Sequence, residues 1–201
     1  MNQTNERSRY RSWLYLFLIS FMIGTIVMNA GRSFLLGETG IFNDTSMNRL
    51  KYLEINSNNF FQYVMKERII TIGLLCLLST TGMGLAATYL YVFEQGALVG
   101  MVLTAAAIRY GASGILLMIT SWFPQQLLLV PAWFLVLGWC SNNCARRYYP
   151  QKAVGIRYPT KRQNYLAQTV HLLWAIGVVI IGTILECYVN PILLSDLLKI
   201  F

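Results

Sequence analysis

The chain has 201 residues, 56% of them apolar and only 12% charged, with a formal net charge of +8. A soluble domain carries about 25% charged residues, and the mean hydropathy here is +0.50, so a soluble globular domain is excluded in favour of an all-α integral membrane protein. The cations cluster beside apolar runs, which argues against a nucleic-acid surface and for cytoplasmic loops next to spans.

Residues 1–12 form a basic start with Arg7, Arg9 and Arg11, and the first span follows at 13–30. Cleavage after Ala30 would put Met28 where a small residue is needed, so the run is expected to be an uncleaved signal anchor. Residues 31–68 make the one sizeable polar segment, with five cations nearly balanced by Glu38, Asp44, Glu54 and Glu67. Asp44 is a candidate cap for a short helix with Met47, Leu50 and Leu53 on one face. Asn58 or Asn59 starts another, carrying Phe60, Phe61 and Val64. Such amphipathic pieces belong on the membrane surface or against the bundle.

Residues 69–140 read as a three-span core. The run 69–93 is long enough to cross a ~30 Å hydrocarbon layer with some tilt, and Glu94-Gln-Gly-Ala97 reads as a tight turn. The next run, 97–110, is short and rich in small residues. Gly96 and Gly100 form a Gly-x-x-x-Gly pair that admits a close neighbour, within the bundle or in a homo-oligomer. The run 115–140 carries Pro124, Gln125, Gln126 and Pro131. Its prolines cannot donate to the carbonyls of Thr120 and Leu127, so the fourth span is expected to be broken by both, with the glutamine amides as substitute donors.

Residues 141–165 form a loop with Arg146, Arg147, Lys152, Arg157, Lys161 and Arg162 and no acid. The fifth span is 166–189, and 190–201 is a short tail opening on Asn190 and Pro191. About five transmembrane helices put the N-terminus in the cytoplasm and the C-terminus outside. Both basic clusters then fall inside and the balanced 31–68 segment outside, as the positive-inside rule requires.

Chemistry-bearing groups are sparse. Gly111-Ala-Ser-Gly114 resembles the serine motif of rhomboid proteases, but the one histidine, His171, belongs near the opposite face of the membrane. A serine nucleophile needs its base within hydrogen-bond reach, so these residues read as an external turn and the chain as a non-enzyme. Cys76, Cys140, Cys144 and Cys187 have neither disulfide nor metal spacing, and no metal or cofactor is expected. Arg109 and Glu186 fall on the same outer side and are the candidate ion pair between spans. A broken span lined by Gln125 and Gln126 raises a small transporter or channel subunit as the alternative, although no second broken span or buried carboxylate accompanies it.

Three segments carry a family resemblance. Pro124-Gln-Gln-Leu-Leu-Leu-Val-Pro-Ala132 resembles the central motif of stage II sporulation protein M, Glu186-Cys-Tyr-Val-Asn-Pro191 resembles that family's end of the last span, and Gln95-Gly-Ala-Leu-Val-Gly100 resembles its Lys-Gly-x-x-x-Gly turn, with glutamine for lysine. The wider membrane family carries Pro-His-Gly and a later glutamate, where this chain has Gln125, Gln126 and Leu129, so the likeness is to the sporulation branch. The resemblance implies a membrane scaffold of the sporulation septum. It would recruit the cell-wall hydrolases stage II sporulation proteins D and P, which degrade peptidoglycan while the mother-cell membrane engulfs the forespore.

Overall fold

The computed structural model describes residues 2–32, 57–149 and 161–189, and all of its regular structure there is helical. The expected amphipathic helix at Asp44, Asn190 and Pro191 lie outside the described residues. Helix α1 is Asn2–Ala30, α2 is Ser57–Ser79, and α3 is the 65-residue run Gly84–Tyr148. Helix α4, Lys161–Ile184, passes directly into a π turn, Leu185–Val189.

Gly111 divides α3. Its φ of 60° and ψ of −140° are non-helical, a backbone state open in practice only to a residue without Cβ. The halves, 84–110 (α3a) and 112–148 (α3b), fold back as an antiparallel hairpin. A Cβ on Gly114 would lie 2.7 Å from the Cβ of Tyr110. Further down, the rings of Tyr91 and Trp133 meet at 4.8 Å. At the base, a Cβ on Gly84 would sit 2.9 Å from Cys144 Cβ. The turn expected at Gly111-Ala-Ser-Gly114 is therefore present.

Two other turns differ from the sequence reading. The run 69–93 is not one helix, because α2 ends at Ser79 and the chain reverses before Gly84. The hydroxyls of Thr80 and Thr81 donate to the carbonyls of Leu77 and Leu78 at 2.7 and 2.8 Å, and Met83 N–H donates to Thr81 Oγ1. Local side-chain bonds of this kind compete with the helical ladder. Conversely, Glu94-Gln-Gly-Ala97 is no turn but the interior of α3a.

Gly96 serves contact instead. A Cβ there would lie 2.7 Å from the carbonyl oxygen of Phe17 on α1, one on Gly100 would lie 3.1 Å from the Phe21 carbonyl carbon, and one on Gly24 would lie 2.9 Å from the Ala97 carbonyl carbon. Three glycines thus let the α1 and α3a backbones touch, and the Gly96/Gly100 face is occupied within the chain. The same stripe of α1, nearer its N-terminus, packs on α3b, where Trp13 stacks on Phe134 at 6.1 Å and Arg9 donates to Asn142 Oδ1 at 2.6 Å.

The expected break at the prolines is absent. Backbone angles stay helical through Pro124 and Pro131, and the non-helical residue of α3 is Gly111. A helix can absorb a proline when the freed carbonyl finds another arrangement and neighbours hold the rod. Helix α4 runs antiparallel to α3b, with Gly182 against Leu129. Between the rods lies a core of Trp13, Ile72, Leu75, Val92, Leu129, Val136 and Val179.

Among the described residues, four stretches are long and apolar enough to cross a bilayer: Ser8–Ala30, Gly84–Leu116, Gln125–Tyr148 and Thr169–Tyr188. Large apolar side chains such as Leu14, Ile19, Ile26, Leu77 and Leu90 face outward while Ser20, Ser79, Thr88 and Thr183 are buried. That inversion of the soluble pattern is what a lipid surround produces, since close packing of small residues then drives helix association.

Candidate functional site

Helix α2 carries three charges in a row, Lys66, Glu67 and Arg68, at the middle of its 23 residues. Lys66 and Glu67 are exposed, whereas Arg68 is half-buried and turned toward α4. Its Nη1 donates to Thr183 Oγ1 at 2.6 Å, and its Nη2 is paired with the carboxylate of Glu186. Thr183 in turn donates its hydroxyl proton to the carbonyl of Val179 at 2.7 Å. The guanidinium therefore meets one formal charge and one oriented hydroxyl. The Arg68 and Glu186 side chains are 16% and 20% exposed. Charges this far from water persist when they are paired and hydrogen-bonded, each costing several kcal/mol if left alone.

The π turn presents Glu186 to this site. An i→i+5 turn admits one extra residue, and here Cys187 stays buried while Tyr188 reaches α2 and donates to Asn58 Oδ1 at 2.7 Å. The Tyr188 ring also lies 6.2 Å from that of Phe61. The last span is thus fastened to α2 at its first turns and again at its midpoint.

A second polar seam closes the opposite, basic end. Asn143 donates to Ser79 Oγ at 3.1 Å, the Cys144 thiol to the Thr81 carbonyl at 3.2 Å, and the Tyr148 hydroxyl to the Thr80 carbonyl at 3.1 Å. Arg9 joins it through Asn142 and lies 5.5 Å from the Trp13 ring centroid. Helix α2 therefore runs from one polar seam to the other, alongside the four apolar rods.

The residues singled out from sequence fare unequally. Glu186 has an ion-pair partner, but the residue against its carboxylate is Arg68 rather than Arg109. Gln125 is 4% exposed, and its Oε1 has no donor in the structure; Gln126 and Pro131 are exposed. The two amides thus point to different surroundings, one inward and one outward. Ser113 stands exposed at the hairpin tip. His171 lies 11 residues before Gly182, which is level with Leu129, so ~40 Å of helix separates it from Ser113. No group of three or more His, Cys, Asp or Glu side chains gathers as a metal site among the described residues.

Arg68 was missed because it closes the polar segment in sequence. The available signal was helical: starting α2 at Asn58 puts Lys66, Glu67 and Arg68 inside a rod long enough to span, not before it.

The chain matches the family model of stage II sporulation protein M over residues 13–191. The chain belongs to the stage II sporulation protein M family. The match begins at Trp13, a core residue of α1, and ends at Pro191, so it takes in both polar seams apart from Arg9, the proline-glutamine segment and the π turn. Comparison with curated proteins and with solved structures returned no match. Membership ties this helical membrane protein to sporulation, in a family not known for enzymatic activity.

Proposed function

We propose that the protein is a non-enzymatic scaffold of the sporulation septum that crosses the membrane five times and recruits stage II sporulation proteins D and P for peptidoglycan degradation during engulfment. The observation that carries this reading is the family match over 13–191. The five-crossing topology is supported by α2, which runs between the same two seams as the apolar rods with Arg68 neutralised by Glu186. With five crossings, Arg9, Arg146 and Arg147 share the cytoplasmic side, and residues 31–68 and the C-terminus face outward, in accord with the positive-inside rule.

Reporter fusions at the two termini test the topology. Opposite-sided signals are expected, and same-sided termini would overturn five crossings. Co-purification of both hydrolases from sporulating cells tests recruitment. Replacing residues 31–56 by a Gly/Ser linker is expected to reduce recovery, while undiminished recovery would remove that loop as the docking element. The transporter alternative rested on a broken fourth span, and helical backbone through Pro124 and Pro131 takes that support away.

A further inference from the structure

Contacts at the basic end give α1 and α2 a common depth scale. Arg9 of α1 and Ser79 of α2 bond to Asn142 and Asn143, neighbours on α3b. Residues the same number of places along the two helices from these contacts therefore stand at about the same depth. Five and nine residues in, both rods expose apolar side chains, Leu14 and Leu18 on α1 and Leu74 and Ile70 on α2. Thirteen and seventeen residues in, they part: α1 exposes Met22 and Ile26, whereas α2 exposes Lys66 and Gln62. Glu67 and Tyr63 are exposed beside them, so a polar stripe continues from the middle of α2 toward its outer end. The scale holds at that end as well. Asn58 lies ~31 Å from Ser79, and Tyr188, to which it bonds, counts to ~29 Å by way of Gly182 and Leu129.

We propose that the outer leaflet is drawn down beside α2, its phospholipid headgroups and water meeting Lys66 and Glu67, so that the protein thins the bilayer on one side. Hydrocarbon at full height would surround both charges, and neither forms an ion pair among the described residues. A lone charge inside a membrane is costly, and local thinning with water entry relieves that cost. Snorkelling alone falls short. The outer seam at Asn58 is about two helical turns above Lys66, beyond the reach of its stem, and a glutamate is shorter still. The adjacent cation and anion match a zwitterionic headgroup, phosphate to Lys66 and amine to Glu67. On α1 the exposed apolar surface continues to Val27, whereas on α2 the polar stripe begins above Ile69. The two faces thus differ in apolar height by ~12 Å, a mismatch that lipid meets by thinning. The proposal rests on the five-crossing reading, because it needs α2 in the membrane.

Full-length protein with its four native cysteines replaced by alanine receives one spin-labelled cysteine, at Gln62, Lys66, Ile70, Leu74, Met22 or Ile26. In phosphatidylethanolamine–phosphatidylglycerol liposomes at large lipid excess, collisions with a water-soluble nickel chelate are expected to exceed those with oxygen at Gln62 and Lys66. Oxygen is expected to lead at the other four sites. With the label at Gln62, Lys66→Leu together with Glu67→Leu should reverse its preference to oxygen. Oxygen leading at Gln62 and Lys66 would overturn the proposal while leaving five crossings intact. So would chelate leading at Met22 and Ile26, which means a uniformly thin layer, dipolar broadening at Lys66 from a second copy, or an unchanged Gln62 label in the double variant. Chelate leading at Ile70 and Leu74 would overturn the five-crossing reading as well.

Discussion

Arg68, at the middle of α2, and Glu186, in the π turn that ends α4, form an ion pair across 118 residues of chain. It makes α2, which carries three charges at its centre, an integral rod of the bundle, and it joins the family's terminal motif to a residue outside that motif.

Removing one partner leaves the other charge without compensation. Arg68→Met and Glu186→Leu are each expected to destabilise the protein by about 3 kcal/mol, and the double variant to recover much of the loss, because a buried pair replaced by apolar groups is often near neutral. Unfolding of the three variants in mild detergent checks this; a double variant as unstable as the sum would count against a coupled pair.

The α1–α3a contact depends on backbone approach at Gly24, Gly96 and Gly100. Gly100→Leu is expected to separate the helices and cost several kcal/mol, in the manner of overpacked cores. Gly73→Ala meets nothing within 4 Å and should be neutral or stabilising by up to about 1 kcal/mol through helix propensity. Parallel thermal melts compare the pair.

Gly111 also has open space around the position of a Cβ, yet φ is 60°. Gly111→Ala is expected to lose about 1–3 kcal/mol, opposite in sign to Gly73→Ala despite equal room. The same melts decide, and equal effects at the two sites would mean that the hairpin does not require this backbone state.

Ser113→Ala and His171→Ala are expected to leave sporulation unchanged, since ~40 Å of helix separates the two side chains. Heat-resistant spore counts provide the measurement. A loss with Ser113→Ala alone would revive a catalytic role for the hairpin tip.

Some of the architecture was legible one residue at a time. The apolar runs, the basic clusters and the Gly111-Ala-Ser-Gly114 turn each depend on local composition, and hydropathy reads them directly. The turn after Ser79 was within reach too, since Ser79-Thr-Thr-Gly-Met-Gly84 is dense in breakers, but a continuous apolar average hid it. Gly96 looked like a turn residue because a glycine's sequence context does not reveal whether it supplies backbone freedom or an empty Cβ position. Pro124 and Pro131 looked like breaks because their missing N–H groups are a local fact, whereas the packing that keeps α3b helical is not.

By itself, the sequence determined that this is a helical membrane protein with its cations gathered beside spans, because transfer free energy and charge act residue by residue. Its motifs also pointed to the sporulation family. Tertiary structure decided which polar groups meet: Arg68 with Glu186, Ser79 with Asn143, Gly100 with the α1 backbone, Gln125 inward and Gln126 outward. Those pairings depend on helix rotation and register, set by many weak contacts between rods far apart in the chain, and no local pattern encodes them.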